Sequence, residues 1–170
     1  MPKWSKTVSP STRNNRSNRS LWSALATEKN MQTQTAKPKG ELISEIKGKT
    51  HSWTIKEVNQ SGVRMEMNDE GQLTGKYNAN FMQTTSINMK PDGTSTWEGR
   101  GIQMAGPDMV VVTGKGTAHQ TNPTTTTWEG EVTFMTKSPK LAWLNNTKGW
   151  TEGTANQGMG EFTAKVYAKK

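Results

Sequence analysis

The sequence predicts an all-β domain, an antiparallel sheet closed into a barrel, preceded by a polar basic N-terminal tail. Three observations predict it. From Glu41 onward, apolar and polar residues alternate with period two in short runs, the pattern of strands that bury one face. Clusters of turn-forming residues separate the runs at fairly even spacing, as in sandwiches and barrels. Glycine recurs at every second position in two runs, as Gly99 with Gly101 and Gly114 with Gly116. Such pairs mark places where a strand bends, as a closing barrel requires, or passes close to a large side chain.

In chain order, residues 1–39 come first as a tail rich in Ser, Thr, Asn, Lys and Arg. Its sparse apolar content cannot offset the entropy of ordering, so disorder is expected. One short helix could form over Ser20–Lys29, capped by Ser20, with Leu21, Trp22 and Leu25 on one stripe. The tail carries eight basic side chains against one acid, Glu28, so +7 of the chain's net +8 lies there. The barrel domain, residues 40–170, is nearly neutral.

Within the domain, Val63, Met65 and Met67 alternate with Arg64 and Glu66. Leu73, Tyr77, Ala79 and Phe81 form a second apolar face. Further strands are expected within Thr94–Met104, Met109–Ala118, Thr124–Thr136 and Gly160–Ala168. The turns between strands are expected at Asp69-Glu70-Gly71, Pro91-Asp92-Gly93, Gly106-Pro107-Asp108, Asn122-Pro123 and Asn156-Gln157-Gly158. One short helix is expected over Ser138–Asn145, with Pro139 at its first position.

The chain repeats itself. Thr94-Ser95-Thr96-Trp97-Glu98-Gly99 returns as Thr125-Thr126-Thr127-Trp128-Glu129-Gly130, and Gly75-Lys76-Tyr77-Asn78-Ala79 is echoed by Gly160-Glu161-Phe162-Thr163-Ala164. Both pairs look like equivalent strands. A tight turn at Ala105–Asp108 sets Gly99 opposite Gly114 and Trp97 opposite Gly116. The next turn sets Trp128 opposite Gly116 or Ala118, on the same face. Both indoles then flank a strand nearly bare of side chains, and that face is assigned to the interior.

Met89-Lys90-Pro91-Asp92-Gly93, Gly99-Arg100-Gly101, Gly114-Lys115-Gly116, Trp128-Glu129-Gly130 and Ser138-Pro139-Lys140-Leu141-Ala142-Trp143-Leu144-Asn145 together carry a resemblance. Over residues 40–168 the chain resembles an uncharacterised family of small bacterial and archaeal proteins, similar in its glycine-strand pattern to allene oxide cyclase-like and dirigent-like barrels. These belong loosely with the lipocalin-type barrels. The resemblance implies about eight strands around room for a small apolar molecule. It implies no reaction, because it brings no catalytic residue set.

Little in the sequence points to catalysis. There is no cysteine, which excludes a disulfide scaffold and a thiol nucleophile. His51 and His119 each stand alone, without metal-ligand spacing, so no metal or cofactor is expected. Glu98 and Glu129 alternate with the tryptophans and are expected on the outer face, opposite Arg100 or Lys115. No nucleophile elbow, phosphate-binding loop or dinucleotide loop is present. The longest aliphatic run is Val110–Val112, far short of the roughly 20 residues of a membrane span. With no secretory h-region either, a cytoplasmic location is expected. The leading expectation is a non-enzymatic ligand-binding barrel whose site is formed by Trp97, Trp128, Gly114, Gly116, Tyr77 and Phe81. The alternatives are polyanion binding through Arg13, Arg16 and Arg19 of the tail, or a barrel enzyme of cyclase or isomerase type.

Overall fold

The computed structural model describes residues 39–156 and 160–170. The disorder expected of the tail, the helix over Ser20–Lys29 and the basic triplet Arg13, Arg16 and Arg19 lie outside these residues, as do Gln157 and Gly158 of the last expected turn. Eight strands follow in order: β1 Lys39–Asn59, β2 Gly62–Gly75, β3 Ala79–Met89, β4 Thr94–Ala105, β5 Asp108–Asn122, β6 Thr125–Thr136, β7 Lys148–Asn156 and β8 Glu161–Lys169. Each pairs antiparallel with the next, and β8 pairs with β1, so the sheet closes on itself. A 3₁₀ helix, Pro139–Asn146, joins β6 to β7.

The turn chemistry accounts for the hairpins. Between β4 and β5 only Gly106 and Pro107 intervene, and Gly106 has φ +64°. A left-handed glycine followed by the fixed φ of proline is the II′ geometry that matches strand twist. The register then runs without a slip from Ala105 opposite Asp108 to Thr94 opposite His119.

One end of the barrel is plugged. Leu141 and Leu144 of the 3₁₀ helix are buried against Ile43, Leu73, Val110, Phe134 and Val166. Pro139 starts the helix, and Asn145 ties it to β6 by accepting from the Thr136 amide at 2.8 Å and donating to the Thr136 carbonyl at 3.0 Å. The Tyr77 ring stands edge-on to Trp143 at 6.2 Å, and its hydroxyl donates to Gln103 Oε1. Burial holds this phenol above its ordinary pKa.

Three expectations are corrected. Asp69-Glu70-Gly71 is not a turn: these residues lie inside β2, paired with Thr50, Lys49 and Gly48 of β1 and with Gln83, Met82 and Phe81 of β3. The run Leu73–Phe81 is not one strand, because the chain turns between Gly75 and Ala79. For the same reason Gly75–Ala79 is not equivalent to Gly160–Ala164: the first is a hairpin turn and the second opens β8. Two strands, β1 and β7, were not anticipated as strands of that extent.

Candidate functional site

The opposite end of the barrel is open and hollow. Here the inward positions alternate between rings and very small residues. The Trp97 indole lies over β5 and β6: a Cβ added to Gly116 would meet its Nε1 at 2.8 Å, and one added to Gly130 would meet its Cζ2 at 2.5 Å. Its N–H points to the carbonyls of Thr117 and Glu129 at 3.2 and 3.3 Å. Trp128 lies likewise over Gly153, Phe162 over Gly48 and Phe81 over Gly71. Phe81, Phe162 and Trp128 touch in sequence, with centroids 6.2 and 5.9 Å apart. Glycine lets each ring settle against the wall instead of filling the middle, and a cavity of about 200 Å³ remains.

The rim is built by the β1–β2 hairpin. β1 pairs with β8 only as far as Lys49 opposite Glu161, yet it continues with β2 to Asn59 opposite Gly62. The hairpin therefore stands out beyond β8. Two bulges, between Thr50 and Ser52 and between Ile55 and Glu57, bend it. Trp53, Met65 and Met67 of this hairpin line the cavity with Ile87 and Met89 of β3. Trp53 is 51% exposed, Ile55 66% and Val58 67%, a concentration of bare apolar surface at the mouth.

One carboxylate stands inside. Asp69 lines the cavity and is only 4% exposed. Its Oδ1 accepts from the Thr50 hydroxyl at 2.7 Å, and its Oδ2 accepts from Gln83 Nε2 at 3.0 Å and, at 3.5 Å, from the Thr85 hydroxyl. Arg100 is the other charged residue on the cavity lining, and no histidine, lysine or second carboxylate lines it among the described residues.

Of the six residues expected at the site, the fold brings together Trp97, Trp128, Gly114 and Phe81, all on the cavity wall. Trp97 is opposite Gly116 and Trp128 opposite Ala118, so both indoles share the inner face. Gly116 sits beneath the Trp97 ring. Tyr77 stands apart, in the plug at the closed end. Sequence reasoning missed Asp69, Gln83, Thr50 and Trp53. The signal for Asp69 was present, since it continues the inward series Met65, Met67, but the turn chemistry of Asp-Glu-Gly hid it.

The remaining candidates lie outside the cavity. Glu98 is opposite Lys115 and Glu129 opposite Thr117, both on the outer face that alternates with the indoles. His51 meets Glu70 at 2.9 Å on the surface of the β1–β2 pair, while His119 is exposed on β5, which does not neighbour β1. No cluster of three or more potential metal ligands occurs among the described residues. No helix among them is long and apolar enough to cross a membrane.

No protein-family model matches the chain, and no curated protein does. Solved structures do. A protein with unknown function from Clostridium acetobutylicum ATCC 824 superposes with a TM-score of 0.68 at 16% identity, covering 76% of this chain and 98% of that one. A beta-barrel like protein from Acinetobacter baumannii AYE gives 0.65 at 15%, covering 76% and 94%. A conserved protein of unknown function from Rhodopseudomonas palustris gives 0.63 at 14%, covering 75% and 95%. These likenesses show the fold: small β-barrel-like proteins that span almost their whole length on this domain.

Proposed function

We propose that the barrel is a binding domain for a small, largely apolar ligand that enters through the open end. The observation that carries this reading is the hollow itself. A core built only for stability would be filled, because voids cost free energy. This one is plugged tightly at one end and left open at the other, beneath exposed Trp53 and Ile55. Trp97, Trp128 and Phe81 would supply the walls, and Gly114 the clearance between them. Gly116 would act through Trp97, by letting that ring lie flat. The allene oxide cyclase-like and dirigent-like resemblance supports the same architecture and room for an apolar guest. Binding is the better reading than cyclase or isomerase turnover, because acid–base chemistry asks for complementary titratable groups and the cavity lining offers one carboxylate and an arginine, which does not give up its proton.

Calorimetric titration of the full chain with 1-octanol tests this. Saturable one-site binding is expected, weakened about tenfold or more by Trp97→Ala, since burying a large apolar side chain is worth roughly 1.5–3 kcal/mol. Absence of saturable binding, or equal affinity in a folded Trp97→Ala variant, overturns it.

Charge segregation favours a second activity for the tail. With +7 of the net +8 in residues 1–39, any affinity for a polyanion would reside in Arg13, Arg16, Arg19 and their neighbours.

A further inference from the structure

Asp69 is more than a cavity needs if the guest is purely apolar. A carboxylate taken out of water is tolerated when it is paired and fully hydrogen-bonded. The other acids of β2 follow this rule on the outer face: Glu66 meets Lys56 at 3.0 Å and Glu70 meets His51 at 2.9 Å. Asp69 is the most buried of the three, and among the described residues no Lys, Arg or His forms an ion pair with it. Its partners, Thr50, Gln83 and Thr85, are all neutral, and the last is at the 3.5 Å limit. A carboxylate presents about four lone-pair directions. Three neutral donors, one of them distant, leave about one acceptor direction open on a carboxylate that lines the cavity.

The wall near the carboxylate has room at one glycine, Gly99; Gly71 is covered by the Phe81 ring and Gly101 packs against Met82 and Gln83. Across the sheet, Gln83 is opposite Gly101 and Thr85 opposite Gly99, and along β2 the next inward residue is Gly71. A Cβ added to Gly99 would find its nearest neighbour, Thr85 Oγ1, at 3.6 Å, so this stretch of wall has room before it. Between these glycines on β4, Glu98 and Arg100 are exposed; Arg100 also borders the cavity but forms no ion pair with Asp69. The result is a polar floor approached over Gly99, set within a wall of Trp97, Phe81 and Met67.

We infer that the ligand carries one compact cationic amine, held by Asp69, on an apolar body that lies against Trp97 and Phe81. An ammonium group brings the positive charge that no side chain pairs with Asp69 and a donor for the open acceptor direction. The ring faces nearby add attraction for a cation. An anionic ligand would be repelled, and a neutral alcohol of the same length would gain one hydrogen bond without the charge. This inference rests on the reading that the barrel holds a small ligand.

The test compares three probes of one chain length, octylamine, 1-octanol and octanoate, by calorimetry on the full chain at neutral pH. Octylamine is expected to bind at least about tenfold tighter than 1-octanol, the gain of a charge-assisted over a neutral hydrogen bond, and octanoate weaker than both. Asp69→Asn should bring octylamine and 1-octanol to within about threefold of each other. Asp69→Glu, which keeps the charge, should keep the preference for the amine; both variants are checked for native circular dichroism. The wild-type comparison decides even where a variant does not fold. If 1-octanol binds and octylamine binds no tighter, the amine inference fails and the ligand-binding reading stands. If none of the three binds, both fail.

Discussion

Replacing Gly116 by Val should be among the most damaging single changes in the barrel wall, and the structure says why. The new Cβ would strike the Glu129 carbonyl oxygen, then Gly130 Cα at 2.6 Å and Trp97 Nε1 at 2.8 Å. The first two are backbone atoms of β6 and cannot rotate aside. Relief requires β5 and β6 to part or Trp97 to lift, and lifting the ring breaks its N–H contacts to the Thr117 and Glu129 carbonyls. Overpacking typically costs about 1–3 kcal/mol, and backbone neighbours place this case near about 3 kcal/mol. For a chain of this size each kcal/mol lowers the Tm by about 2–4 °C, so a fall of roughly 6–12 °C is expected. Gly99→Ala is the matched control. It too faces the cavity, but its Cβ would sit 3.6 Å from Thr85 Oγ1 and from Trp97 Cζ3, ordinary contacts, and its φ is not left-handed. Alanine also spares the backbone entropy glycine loses in a strand, so Gly99→Ala should be neutral or stabilising by about 0.5 kcal/mol. Thermal and urea unfolding followed by far-ultraviolet circular dichroism measures both. Equal destabilisation by the two changes, or a loss under about 1 kcal/mol for Gly116→Val, would refute the argument that rings lie on glycine here.

Two further outcomes are expected. Burial lifts the Tyr77 phenol above its ordinary value, so the folded state keeps a proton that the unfolded chain releases near pH 10. Stability from this group is therefore complete below about pH 10 and falls as pH rises further. Tyr77→Phe should flatten that alkaline slope and cost about 1 kcal/mol at neutral pH through the lost bond to Gln103. Urea midpoints across the alkaline range check it, and an unchanged slope in the variant counts against it. In the tail, the triple change Arg13→Gln, Arg16→Gln and Arg19→Gln should reduce the slope of log affinity against log salt on duplex DNA by about 3, if each arginine neutralises one phosphate. A slope equal to wild type would place any polyanion site elsewhere.

The strands that were legible from the sequence are those in which tertiary structure and local pattern agree. In β4, β5 and β6 the register from Ala105 opposite Asp108 follows from one tight turn, and with it the shared face of Trp97 and Trp128. β1 was obscured by its two bulges. Each shifts the inward parity, so Ile46, Trp53 and Val58 all have inward partners on β2, Leu73, Met67 and Val63, yet do not follow one period-two series. β7 was obscured for a different reason. The residues opposite Val132, Gly130, Trp128 and Thr126 are Gly149, Thr151, Gly153 and Ala155, all small, while a large apolar residue, Trp150, points the other way. Asp69-Glu70-Gly71 carries strong turn chemistry, and two flanking strands override it. Tyr77 kept the parity of Leu73 and Ala79 in the sequence but sits in the turn between β2 and β3, which sends its ring to the plug.

These exceptions share a cause. The chain is lean, with 30% hydrophobic residues, and cannot fill a barrel of this girth with aliphatic side chains from every strand. It concentrates Ile43, Leu73, Val110, Leu141 and Leu144 at one end, where they form a dense core. At the other end it sets one ring against one glycine, pair by pair: Trp97 on Gly116, Trp128 on Gly153, Phe162 on Gly48 and Phe81 on Gly71. A ring on glycine covers two strands with one side chain and leaves the axis empty. The same device that closes the wall therefore makes the hollow, and the inward positions it vacates are the ones that leave Asp69 facing open space. Stability and binding are thereby divided along the barrel axis. Substitutions in the plug should act mainly on unfolding. Changes to Asp69 that keep its size should act mainly on ligand preference.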